Sequence, residues 1–301
     1  MIRQLFYSLL KCRLNRDLRF FPRQSVQQLI QQNKGVAIAL SILCLWALTT
    51  ALAFSIGART LGLWSCLLLT PWLTFLYTGL FVTGHDAMHA SVAPQRPRLN
   101  RIFGELTLFL YGLIPYDKLH QAHAQHHRHP ASEQDPDFHD GHHTHPLLWY
   151  LRFMRRYWTL RQTIGLVLIY NSLYRLMGIP EANLLMFWAL PSLLSSVQLF
   201  YFGTYLGHRR LPETYLTPLR SNSYYLPWLL SLVTCYHFGY HREHHEFPHV
   251  PWWQLPQMAY SQTARSADYI SSTNQRYTSG GRALATINSP FVQRDRTRLK
   301  T

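Results

Sequence analysis

Acidic residues are scarce in this chain: 14 Asp and Glu stand against 29 Lys and Arg in 301 residues. Charged residues of both signs reach only 14%, well under the quarter usual in soluble domains. Cysteine is nearly absent. Cys12, Cys44, Cys66 and Cys235 are isolated, with no CxxC pair, which excludes a disulfide framework and a zinc ribbon. No GxGxxG and no haem-attachment motif occurs, so a resident dinucleotide or c-type haem is not expected. No cleavable leader is read from the first 34 residues, which hold seven basic residues, one acid (Asp17) and no long apolar run.

The missing charge is missing in blocks. Residues 35–58, 60–84 and 182–207 contain no Lys, Arg, Asp or Glu, and each is long enough to cross a hydrocarbon core of about 30 Å as a helix. The mean hydropathy of −0.11 hides this. The net charge of +15 comes from basic residues flanking the apolar blocks, which fits the positive-inside rule and speaks against a nucleic-acid-binding stripe.

The segments arrange as two hairpins. Residues 35–58 and 60–84 are split by Arg59 alone. A weaker apolar stretch, 159–178, carries Arg161 and Arg175 and leads through Gly178-Ile-Pro-Glu181 into 182–207. Residues 106–116 and 224–236 are too short to span; the first reads as interfacial or re-entrant. Parity then gives four spanning helices, with both termini and the polar connections on the cytoplasmic side. The chain divides into a basic segment 1–34, a membrane domain 35–257, and a polar tail 258–301 with no apolar period, expected to be disordered.

Histidine is the abundant exception. All 17 lie between residues 85 and 249. Three boxes stand out: His85-Asp-Ala-Met-His89, His123-Ala-Gln-His126-His127 and His241-Arg-Glu-His244-His245. Imidazoles at i and i+4 share one helix face, while adjacent histidines diverge by about 100°, so one HxxHH box can serve two neighbouring ions. Eight imidazoles are too many for one tetrahedral zinc. Nitrogen ligands suit iron, zinc, copper or nickel alike, but a two-metal centre beside apolar helices points to iron and O2, because apolar substrates offer only C–H bonds. His208 ends the last long span level with the boxes, and His237 lies at i−4 from His241; the two compete as a ninth ligand, with His208 favoured. His139, His142, His143 and His145 read as solvated loop residues. A transporter or sensor would place ionisable groups inside the spans, and 60–84 and 182–207 have none.

GHDAMHASV (84–92), HAQHHRHPASEQDPDFH (123–139), LPSLLSSVQLFYFGTYLGHR (190–209) and TCYHFGYHREHHEFPHVPWWQLP (234–256) resemble the cyanobacterial and bacterial β-carotene ketolases, a branch of the membrane fatty-acid desaturase and hydroxylase superfamily. The resemblance covers residues 35–257. It implies an all-α integral membrane fold of four transmembrane helices with a cytoplasmic helical cap around two irons. By motif it implies His85, His89, His123, His126, His127, His241, His244 and His245 as ligands, and His208 as the solitary histidine before the last box. Ala90 and Arg128 depart from common family residues without touching these positions. The implied activity is O2-dependent oxidation of C4 of β-ionone rings, by two hydroxylations and a dehydration, from β-carotene to echinenone to canthaxanthin. A fatty-acyl desaturase or hydroxylase with the same centre is the alternative. Carboxylates should hydrogen-bond the ligands' ring N–H groups; Asp86, Asp135, Asp137, Glu243 and Glu246 are candidates, with His237 as a further neighbour. Electrons must come from an acidic, ferredoxin-type donor, for which Arg152, Arg155, Arg156 and Arg161 offer a basic face, although anionic lipid would suit the same charges.

Overall fold

The computed structural model describes residues 23–209 and 219–261, with side chains from residue 33 onward. Most of the expected tail (262–301) and most of the basic N-terminal segment (1–22) lie outside the described residues; residues 258–261 are helical. Among the described residues the structure is helical, with no strand. Helix α1 is Arg23–Ile56, α2 Ala58–Met88, α3 Pro97–Gly112, α4 Tyr116–Arg128, α5 Pro146–Tyr157, α6 Leu160–Asn171, α7 Glu181–His208, α8 Trp228–Cys235 and α9 His241–Glu246. By internal contacts the chain divides into Met1–Gln257 and Met258–Thr301. All that follows concerns the first unit.

Three helices are long and apolar enough to cross a membrane: Asn33–Ile56, α2 and α7. Their outward leucines and tryptophans are bare, as at Trp64 (78% exposed) and Leu68 (77%). Such continuous apolar surface is not carried by a protein facing water. The stretch expected to form a fourth span, 159–178, holds α6 and a wider π turn, Ser172–Leu176, and is not among the helices long and apolar enough to cross. Residues 106–116 run from α3 through its C-terminal loop to the first residue of α4. The short run 224–236 yields only the eight-residue α8, roughly 12 Å long.

Sequence explains how the elements meet. Arg59 does not break the first hairpin; glycine does. Gly57 (φ 81°) and Gly62 (φ 73°) bracket the turn at the start of α2, in a region that side chains with a Cβ rarely adopt. Asn183, at the start of α7, stitches this turn: its Oδ1 accepts the Ala58 N–H (2.9 Å) and its Nδ2 donates to the Phe54 carbonyl (3.3 Å). Deeper down, the Thr78 hydroxyl meets Ser195 (2.9 Å) and the Gln198 side-chain oxygen (3.0 Å), joining α2 to α7 through polar groups satisfied between apolar helices. At the far end of α2 the Ala87 carbonyl, an orphan of the last turn, accepts from Asn100 Nδ2 (2.6 Å) and the Tyr116 hydroxyl (3.0 Å). Helices α3 and α4 thereby fix the end of α2 that carries His85 and His89.

Candidate metal centre

Four elements converge on one point. The end of α2 brings His85 and, just past its last turn, His89; α4 brings His123, His126 and His127; α7 ends at His208; α9 brings His241, His244 and His245. The ring nitrogens fall into two quartets, each within 4.8 Å throughout: His85, His89, His123 and His244, and His126, His208, His241 and His245. Within them Nε2 faces Nε2, at 2.8 Å for His89–His123, 3.2 Å for His126–His245, 2.7 Å for His208–His241 and 3.1 Å for His241–His245. His127 stands beside the first quartet, 3.1 Å from His123 and 3.0 Å from His244. The second and third boxes are each divided between the quartets, as the angular offset of adjacent histidines anticipates.

Outer contacts set the tautomers. An ionised carboxylate or a carbonyl can only accept, so a ring facing one carries its proton on Nδ1 and turns a bare Nε2 inward. His126 Nδ1 donates to Asp135 (2.9 and 3.0 Å), His85 Nδ1 to Asp86 (3.2 Å) and His208 Nδ1 to the Arg220 carbonyl (3.2 Å). Burial and the neighbouring imidazoles hold His123, His241, His244 and His245 well below the usual range. The same causes put His89 at about 4 and His127 at about 2. His126 runs the other way: burial opposes its charge, but the bond to Asp135 and the charges of Asp135 and Asp137 raise it. Two groups of buried and half-buried imidazoles with their Nε2 atoms turned together fit two metal ions, and the all-nitrogen donor set suits iron, copper, zinc or nickel.

A cavity of about 510 Å³ opens against this cluster, with His85, His123, His126, His241 and His244 in its wall. The remaining lining is mostly aliphatic and aromatic and extends between α6 and α7, through Leu166, Val167, Leu193 and Trp188.

The model of the fatty acid desaturase family matches residues 60–181 and 156–275. The chain belongs to that family. Among similar proteins, a zeaxanthin 4-ketolase of Chlamydomonas reinhardtii is 37% identical over 77% of this chain and 54% of its own length. A β-carotene ketolase of a Paracoccus species is 41% identical over 61% of this chain and 75% of its own. A β-carotene ketolase of Haematococcus lacustris is 42% identical over 61% and 59%. The chain thus spans between about half and three quarters of the length of these relatives.

The other expected neighbours of this desaturase-family cluster are placed unevenly. Asp86 and Asp135 meet ring N–H groups. Asp137 lies 3.9 Å from His126 Nδ1 and accepts a short hydrogen bond from the Tyr157 hydroxyl; burial raises its carboxyl pKa. Glu243 is buried but meets hydroxyls in place of imidazoles: Ser223 and Tyr225 (2.8 Å) donate to it. It sits among hydroxyls because it lies on α9 between His241 and His244, on a side turned from the quartets. Glu246 is exposed. His237, with Tyr236 in left-handed backbone (φ 62° and 46°), bonds Ser231 (3.0 Å) and packs against Trp228 and Trp252; it stands outside the quartets, and His208 stands within one. His139 is buried against Phe138 and Trp149 rather than solvated. Two contacts were not foreseen. The Trp252 backbone N–H donates to Asp86 Oδ2 (3.0 Å), and the Arg220 carbonyl orients His208. The WWQLP flank hinted at the former without revealing its partner.

Proposed function

We propose that the protein is a β-carotene ketolase with a di-iron, histidine-ligated centre. The observation that carries this reading is the joining of the two imidazole quartets to one long apolar cavity, in a chain whose relatives act on carotenoids. His85, His89, His123 and His244 would hold one iron, and His126, His208, His241 and His245 the other, with His127 beside the first. When bound, the irons supply the O2 activation needed to break a C–H bond.

The chain's own residues do the rest. Asp86, Asp135 and the Arg220 carbonyl keep the Nε2 lone pairs aimed inward. Phe81, Leu199 and Phe238 give the ring an apolar seat and exclude water. The seat presents C4, whose C–H bonds are weakened by the adjacent double bond. Each hydroxylation consumes one O2, two electrons and two protons and releases one water. Two rounds at C4 give a geminal diol, which loses water to leave the ketone, so β-carotene passes to echinenone and then canthaxanthin.

Electrons come from a ferredoxin-type donor, for which the exposed Arg152, Arg155, Arg156 and Arg161 form an acidic-partner surface. The membrane domain 35–257 has four spans, counting Leu160–Leu176 as the shortest at roughly 25 Å. Its bare Leu160 (74% exposed), Ile164, Leu168 and Leu176 (83%) support lipid contact on that helix. The histidine cluster faces the cytoplasm, and the chain reads as a basic segment 1–34, this domain and a polar tail 258–301. Expression in a host that accumulates β-carotene, with chromatography of the pigments, tests the proposal: ketocarotenoids are expected, and their absence at normal protein levels overturns it.

A further inference from the structure

The cavity is long as well as apolar. Gly203 and Thr204 wall it near the histidines, and Trp188 and Tyr170 wall it at the other end. Sixteen residues of α7 separate Trp188 from Thr204, roughly 24 Å of helix. Between them the lining positions of α7 recur every three or four residues, at 192, 196, 199 and 203, so one face of the helix borders the space throughout. Both ends coincide with wide turns of α7, Leu185–Ala189 and Leu199–Tyr205. Such π insertions in a helix concentrate at functional sites. The remote end is aromatic. Tyr170 lies nearly parallel to Trp188, with ring centroids 6.5 Å apart, and its hydroxyl donates to Glu181 (3.2 Å).

We infer that Trp188 and Tyr170 form the far stop of a lengthwise slot and seat the ring that is not reacting. This rests on the ketolase reading and adds to it the position and recognition of the second ring. A conjugated polyene is stiff and cannot fold back. With one ring at the histidines, the rest of the molecule lies along α7, and the opposite ring meets the aromatic stop. Trp188 touches no reacting atom, so it governs binding of full-length substrate and leaves the chemical step alone. One consequence is that the two rings cannot reach the histidines together: the second is oxidised only after the molecule leaves and re-enters reversed.

The test compares β-carotene with an apocarotenoid that keeps one β-ionone ring on a polyene of half length. In iron-loaded protein, Trp188→Ala is expected to raise KM for β-carotene roughly tenfold, the scale of one lost aromatic seat. It should leave kcat, and both constants for the short substrate, unchanged. Ala189→Phe, which fills the same end, should exclude β-carotene and spare the short substrate. Equal effects on both substrates, or on neither, overturn the slot. Binding to the as-isolated protein, followed by induced circular dichroism of the polyene, separates this from failure of the ketolase reading. If no variant and no wild-type sample turns over but the length discrimination in binding persists, the slot stands and the assigned reaction falls. If binding of both polyenes is unchanged in Ala189→Phe, the slot falls whatever the turnover.

Discussion

Asp86 accepts the backbone N–H of Trp252 through one carboxylate oxygen (3.0 Å) and the Nδ1–H of His85 through the other (3.2 Å). A segment 166 residues downstream thus holds one oxygen of the carboxylate whose other oxygen faces His85 Nδ1. The WWQLP stretch, which has no metal-binding side chain of its own, is part of the centre through this one bond.

Asp86→Asn should separate that role from packing. With its oxygen on Trp252, the amide NH2 faces His85 Nδ1 and forces the ring proton to Nε2, where it blocks a metal. Iron affinity is expected to fall by roughly 10- to 100-fold, the usual cost of losing such a partner, while the far-ultraviolet circular dichroism stays that of the native protein. Iron content equal to wild type under limiting iron would refute the tautomer argument.

Two buried acids near the boxes should behave differently. Asp135→Asn removes the acceptor of His126 Nδ1 and is expected to lower iron affinity on the same scale. Glu243→Gln keeps an acceptor for Tyr225, so iron content should be unchanged and stability should drop by about 1 kcal/mol. Metal analysis alongside thermal melts distinguishes the pair; iron loss in Glu243→Gln would place that carboxylate in the wrong role.

Gly207 packs directly on His241. A Cβ there would lie 2.8 Å from His241 Cγ and 3.0 Å from its Nε2, inside any ordinary contact. Gly207→Ala should therefore displace His241, lower iron toward one per chain, and cost roughly 1–3 kcal/mol of stability. Two irons per chain with an unaltered melt would show that the ring can yield.

Metal-stripped protein should lose stability in acid. His89 (about 4) and His127 (about 2) titrate below the unfolded value near 6.5, so the unfolded chain takes up protons first as pH falls. Their contribution is complete above about pH 6.5 and is lost as pH drops through the folded values. His123, His241, His244 and His245 are shifted in the same direction; His126 is shifted oppositely and is outnumbered. Melts in detergent at pH 7.5, 6 and 5 should show a steady decline, and a flat profile would contradict it.

The histidine boxes were legible because helical periodicity is local: residues three and four apart meet whatever the rest of the chain does. The long apolar blocks were legible for a similar reason, since length and absence of charge are properties of a single segment. What could not be read depends on partners distant in sequence. Asn183 stitching the Gly57 turn, Trp252 reaching Asp86 and Arg220 orienting His208 are of this kind. Glu243 looked like its box neighbours in sequence, yet its side of α9 faces Ser223 and Tyr225. His237 had the right spacing from His241, but left-handed backbone at Tyr236 and His237 breaks the helix that the spacing argument assumed. The wide turns of α7, which shape both ends of the cavity, carry no sequence mark beyond Pro191, which leaves the Phe187 carbonyl without its usual donor, and Gly203.

Each quartet draws on distant stretches of polypeptide: one takes His244 from α9, the other His241 and His245. Under the proposed assignment neither ion finds its full set until residues 244 and 245 have left the ribosome, after the long apolar helices have been made. Metallation is then the closing act of biogenesis, and a truncated or misinserted chain betrays itself by failing to load.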